Sequence, residues 1–160
     1  MSNIMRETVT TYLGYFLAFL MAIMTLDVLW GVLTRYALGS QADWSEELAR
    51  FLLIWIGILG AAYASGHNLH LSIDLLKPKL KTQGQTRLTH LINGIIILFA
   101  LAVLVIGGLR LMYITQVLGQ LSPAMRIPMT VVYVVIPISG FLVIYFKAHD
   151  SWRLSTSSSQ

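Results

Sequence analysis

The sequence predicts an all-α membrane protein of four transmembrane helices, and three observations carry that prediction. Of its 160 residues, 56% are hydrophobic and only 11% charged, with a mean hydropathy of +0.72, whereas ordinary soluble domains are about one-quarter charged. Long apolar runs alternate with short polar or basic stretches. A bilayer core of roughly 30 Å takes about 20 apolar residues per helix, so the length is enough for four spans with short loops and no separate soluble domain.

The first span is expected over residues 12–38. Like a secretory signal it follows a basic residue, Arg6, but it is far longer than a signal core and contains Asp27 and Arg35, so a retained helix is expected. Gly39-Ser40-Gln41-Ala42 supplies a polar turn, and Asp43-Trp44-Ser45-Glu46 has the D-x-x-E pattern of an N-cap with a reciprocating carboxylate, which starts the second span, 44–66. The third span, 88–119, follows the basic stretch from Lys77 to Arg87. The fourth, 127–146, opens at Ile127-Pro128 and should be kinked by Pro137. Spans one and three are longer than a crossing needs, which predicts tilt or protrusion. These helices form one membrane domain, 1–153, and the Ser-rich tail 154–160 is expected to be disordered.

Lys and Arg gather at the N-terminus (Arg6), in the second loop (Lys77, Lys79, Lys81, Arg87) and at the C-terminus (Lys147, Arg153), while the first loop has none and the third only Arg126. By the positive-inside rule both termini and the second loop are cytoplasmic. The basic excess is therefore read as topology, not as a nucleic-acid surface. Trp30, Trp44, Trp152, Tyr12, Tyr113 and Tyr145 fall mostly near helix ends, as an interfacial aromatic belt does.

No cysteine is present, which removes disulfides, thiolate metal sites and Cys-ligated clusters. No G-x-S-x-G, P-loop or H-E-x-x-H pattern occurs, and the expected topology puts the cluster of acidic residues outside and His67, His70 and His90 inside. An enzyme is not expected, nor a cofactor. His67, His70 and Asp74 have a spacing that one helix face could turn toward a metal, but interfacial anchoring explains them as well, and no metal is expected.

The unusual charges converge instead. At 1.5 Å per residue, Arg35, Glu46, Glu47, Arg50 and Arg110 all reach the outer interface, and Glu46 and Arg50 stand in the favourable i,i+4 order. Snorkelling and capping explain such a girdle; so does an interhelical lock that also offers a docking surface. Asp27 is different, because it lies inside the first span, where a carboxylate is functional or pairs with a buried partner; the structural role is favoured, since no second carboxylate shares its depth. Small residues recur at Gly14, Ala18 and Ala22 and again at Gly57, Gly60, Ala61, Ala64 and Ser65. Such stripes let helices approach closely in lipid, within the chain or with a partner.

One ordered set of motifs is specific enough to point to a family. Arg35-Tyr36, Trp44-Ser45-Glu46-Glu47-Leu48-Ala49-Arg50, the G-x-x-G of Gly57 and Gly60, then His67 and the H-x-x-x-D of His70 and Asp74 resemble the small membrane subunit of tripartite ATP-independent periplasmic (TRAP) transporters, the DctQ-like family. The resemblance implies a bacterial inner-membrane scaffold that binds a much larger membrane subunit carrying the substrate and sodium sites. It further implies a periplasmic solute-binding protein as second partner, and organic anions of the C4-dicarboxylate or sialic acid class as solutes. Two other classes compete with it: a haem-bearing membrane anchor of a respiratory complex, and a self-sufficient efflux protein with Asp27 as its proton site.

Overall fold

In the computed structural model of the chain, residues 2–67 and 82–157 are described, with side chains over 5–67 and 88–151. The elements are α1 (Ser2–Leu38), α2 (Asp43–Gly66), α3 (Thr82–Phe99), a π-helical stretch (Ala100–Gly107), α4 (Gly108–Val117), α5 (Met129–Tyr133) and α6 (Val135–Ser157). Among the described residues four segments are long and apolar enough to cross a membrane: Met5–Leu38, Asp43–Gly66, Leu88–Val117 and Met129–Ser151. The first of these has 34 residues and measures about 51 Å at 1.5 Å per residue, well beyond a roughly 30 Å hydrocarbon core.

Two local features depart from the sequence pattern. The N-cap of α2 is Ala42, in extended conformation (φ −70°, ψ 123°) and without a side-chain cap, and Asp43 is already helical. Asp43 and Glu46 still act, since both carboxylates lie in the first turn against the positive end of the helix dipole. In the fourth span the expected kink is a break at Val134, between α5 and α6. Pro137 has no N–H to offer the carbonyl of residue 133, so the ladder stops there; as the third residue of α6, Pro137 sits where an N–H would be unused anyway. At the other end α6 stays helical through Ser157, past residue 154 where disorder was expected, and 158–160 lie outside the described residues.

The core joins Leu13, Leu17 and Leu20 of α1, Leu59 of α2, and Val135 and Phe146 of α6. A second cluster joins Ala62, Ala100 and Val143. The third and fourth spans meet at two glycines, where a Cβ on Gly140 would lie 2.9 Å from Val105 Cγ2 and one on Gly108 2.9 Å from Pro137 Cδ. Three hydroxyls inside the spans bond backward along their own helices: Thr10, Thr25 and Thr115 each donate to the carbonyl four residues earlier, which satisfies them without water. Leu26, Leu29, Leu33, Leu98 and Ile106 are among the many large apolar side chains on the outside.

The chain direction puts both termini at one end, where α1 begins beside the last turn of α2 and the end of α6. That is the terminal end. The opposite, loop end carries the 39–42 turn and the 118–128 loop.

Candidate functional site

The five girdle residues all lie in the loop-end half of their helices, but they divide by contact. Glu46 and Arg50 pair at 3.0 Å along α2, with side chains 68% and 66% exposed. Such an exposed pair contributes between about 0 and 1 kcal/mol. Glu47, one residue on and about 100° around the helix, is only 9% exposed. Its Oε2 accepts hydrogen bonds from the backbone N–H groups of Ala124, at 3.0 Å, and Met125, at 2.7 Å. Arg35 and Arg110 are exposed and form no ion pair among the described residues.

Glu47 thus holds the 118–128 loop, which is ordered from within as well. Leu121 and Pro128 form an isolated antiparallel bridge; Ser122 N–H donates to the Ile127 carbonyl at 2.9 Å and Met129 N–H to the Gln120 carbonyl at 3.0 Å. The Ser122 hydroxyl accepts from Ile127 N–H at 3.2 Å. Closing this loop puts Arg126 in the left-handed region, φ 53°, which costs a side-chain-bearing residue roughly 1–2 kcal/mol.

Asp27 is 6% exposed, and neither carboxylate oxygen has a hydrogen-bond partner among the described residues. The Ser45 hydroxyl donates to its backbone carbonyl at 3.1 Å, so Asp27 stands beside the first turn of α2, toward the loop end of α1. Next to it a Cβ on Gly31 would come within 2.8 Å of Gln41 Nε2 and 3.0 Å of Ser45 Oγ, and this missing side chain lets the 39–42 turn fold back against α1.

The terminal end holds a cluster that the sequence did not announce. Arg6 pairs with Asp150 at 3.1 Å, and Lys147 lies 3.7 Å from the other oxygen of the same carboxylate. The Lys147 side chain is 2% exposed and those of Arg6 and Asp150 14% and 11%. Arg6 also donates to the Gly66 carbonyl at 2.6 Å, placing a cation at the negative end of α2. The i,i+3 spacing of Lys147 and Asp150 was legible; the arrival of Arg6 from the far end of the chain was not. Beside this cluster a groove of about 550 Å³ runs between α1 and α2, lined among others by Arg6, Gly14, Tyr63 and His67.

Two of the histidines make polar contacts, one within its own helix end and one between helices. His67 ends α2, its Nδ1 3.3 Å from the Tyr63 carbonyl and its ring centroid 4.3 Å from that of Tyr63. His90 Nδ1 is 3.0 Å from Ser151 Oγ. His70 and Asp74 lie outside the described residues, and among the described residues no three metal-capable side chains gather.

Of the small residues on α2, Gly57 and Gly60 have no atom within 4 Å of an added Cβ, Ala61 is exposed and Ala64 is half-buried. Glu46, Arg50, Leu53, Gly57 and Ala61 are all exposed and share one face at helical periodicity. That face begins with an ion pair and continues as a shallow, small-residue strip that no other part of the described chain covers.

A sequence profile of the DctQ component of tripartite ATP-independent periplasmic transporters matches residues 20–157. A protein of Haemophilus influenzae, assigned by inference as a TRAP transporter small permease, is 30% identical over 124 residues, covering 78% of this chain and 75% of the relative. The sialic acid TRAP transporter small permease SiaQ of Vibrio cholerae is 30% identical over 105 residues, 66% of this chain and 57% of that protein. The isethionate TRAP permease DctMQ of Oleidesulfovibrio alaskensis is 29% identical over 101 residues; these make up 63% of this chain but 16% of the relative.

Proposed function

Because the chain belongs to the DctQ component family of TRAP transporters, a multi-pass inner-membrane transport component and not an enzyme, we propose that it is the scaffold subunit of a sodium-coupled importer of organic anions. In this reading both termini are cytoplasmic, as the distribution of Lys and Arg favours, and the loop end faces the periplasm. TRAP small subunits work with large membrane subunits, and in the fused relative the matched segment is a minor part of one longer chain. This chain braces that large subunit and widens the platform on which a solute-binding protein docks. Sialic acid and isethionate, the solutes named for two relatives, are both organic anions, and that class is carried over here.

The observation that carries the reading is the open face of α2. Helices in lipid associate through close packing of small residues, since lipid tails are as apolar as leucine and burial from water gives no drive. Gly57 and Ala61 are small, outward and uncovered by the described residues, and we assign them to the contact with the large subunit. The experiment is co-expression of the two membrane subunits. Gly57→Leu should leave the isolated small subunit as thermally stable as the wild type, because the added side chain meets open space, yet lower the yield of the co-purified complex. Gly140→Leu should do the reverse, unfolding the small subunit itself by overpacking it against Val105. Full complex yield with Gly57→Leu takes this face out of the interface.

A further inference from the structure

The 118–128 loop is held more firmly than a connection between two spans requires. Its ends are bridged at Leu121 and Pro128, its tip is fixed from outside by a nearly buried carboxylate that takes two consecutive backbone N–H groups, and the price of this shape is a left-handed arginine. Glycine or asparagine would adopt that conformation more easily. A residue held in a sparsely populated conformation by its surroundings points toward a use for its side chain, and Arg126 is exposed at the tip of the loop and is its only charge.

The surrounding charge says what would meet it. Toward the loop end the exposed cations are Arg35, Arg50, Arg110 and Arg126, and the exposed anions are Asp43 and Glu46. Glu47, the remaining carboxylate of α2, is turned inward to the loop backbone and is lost to the surface. The exposed groups therefore leave an excess of two positive charges, and a protein surface that docks here should be acidic.

We infer that the Glu47-clamped loop is a preformed docking element that presents Arg126 to an acidic patch on the solute-binding protein, with Glu47 as the positioning residue. This rests on the docking role proposed above and adds to it the residues and the sign of the partner's charge. Pre-ordering matters because a loop that is already fixed loses no conformational freedom on association. Glu47 touches no partner in this arrangement; it acts by keeping Ala124, Met125 and Arg126 in register.

The test measures binding of the solute-binding protein of the same transporter to the two-subunit complex in lipid nanodiscs, at two salt concentrations. Arg126→Asn keeps a residue tolerant of the left-handed conformation and removes the charge, and it should weaken binding about fivefold, the change equivalent to about 1 kcal/mol, with a reduced salt dependence. Arg126→Glu should weaken it further. Glu47→Gln should weaken binding although Glu47 is not at the surface, and hydrogen exchange at the Ala124 and Met125 amides should accelerate in Glu47→Gln but not in Arg126→Asn. Unchanged affinity in both Arg126 variants overturns the proposal while leaving docking at another part of this chain intact. Equal affinity of the large subunit with and without this chain overturns the docking role and the proposal with it. An Arg126 effect that follows the anionic lipid content of the nanodisc, with none on the binding protein, assigns the charge to the leaflet and also overturns it.

Discussion

At the terminal end of the bundle, Arg6, Lys147 and Asp150 bring the two extremities of the chain into one buried cluster, and Arg6 adds the last carbonyl of α2. At the loop end, the ion pair found is exposed and lies within a single helix, Glu46 with Arg50, while Glu47 binds backbone and not charge. The same residue types therefore do different work at the two ends. Buried opposite charges from separate helices are costly to separate, because removing one partner leaves the other without compensation in a poorly solvated place. Exposed charges on one helix contribute little to the fold and stay available to other molecules. One end is a lock, and the other a surface with one fixed loop.

The sharpest way to break this contrast is Asp150→Ala, which leaves Arg6 and Lys147 close together without their shared carboxylate. A loss of about 3–5 kcal/mol is expected, the range seen when one member of a buried pair is removed, read as a large drop in the thermal transition of the purified subunit in detergent. Replacing Arg6 and Asp150 together should cost less than the sum of the single changes, since the mutual attraction of this pair is then lost once and not counted twice. An effect of Asp150→Ala no larger than that of a surface substitution would dissolve the distinction between the ends.

Glu47→Ala comes next. It removes an ionised acceptor from two N–H groups, and hydrogen bonds to charged groups contribute about 1.5–3 kcal/mol. The loss should appear in thermal stability and in faster exchange at Ala124 and Met125. The smallest effect belongs to Glu46 and Arg50: a double-mutant cycle with Glu46→Gln and Arg50→Gln should give a coupling of at most about 0.5 kcal/mol, as for i,i+4 pairs on exposed helix faces. A coupling near that of Asp150 would mean that this pair is covered in the complex.

The difference between the ends also sets what could be read from the sequence. The four spans were legible because each is a long apolar run, and Pro137 marked the weak point of the fourth because a missing N–H acts locally. Glu46 and Arg50 were legible for the same reason, four residues apart on one helix. Glu47 was grouped with them by proximity in the chain, yet its partners are the backbone groups of Ala124 and Met125, which no side-chain pattern advertises. Arg6 looked like a topology signal, and only folding brings it to Asp150. Among the glycines, spacing singled out Gly14, Gly57 and Gly60; of these only Gly14 is closely approached among the described residues, by Tyr63, whereas the tightest approaches are at Gly31, Gly108 and Gly140. Periodicity finds stripes of small residues but does not say whether the helix that fills them belongs to the same chain.

The scaffold assignment is tested most directly by sodium-driven solute uptake into proteoliposomes that contain the large membrane subunit and its loaded binding protein, with and without this chain. Uptake is expected only when both membrane subunits are present, and none from this chain with the binding protein alone. Full uptake by the large subunit in the absence of this chain, or transport by this chain alone that is lost in Asp27→Asn, would contradict the account.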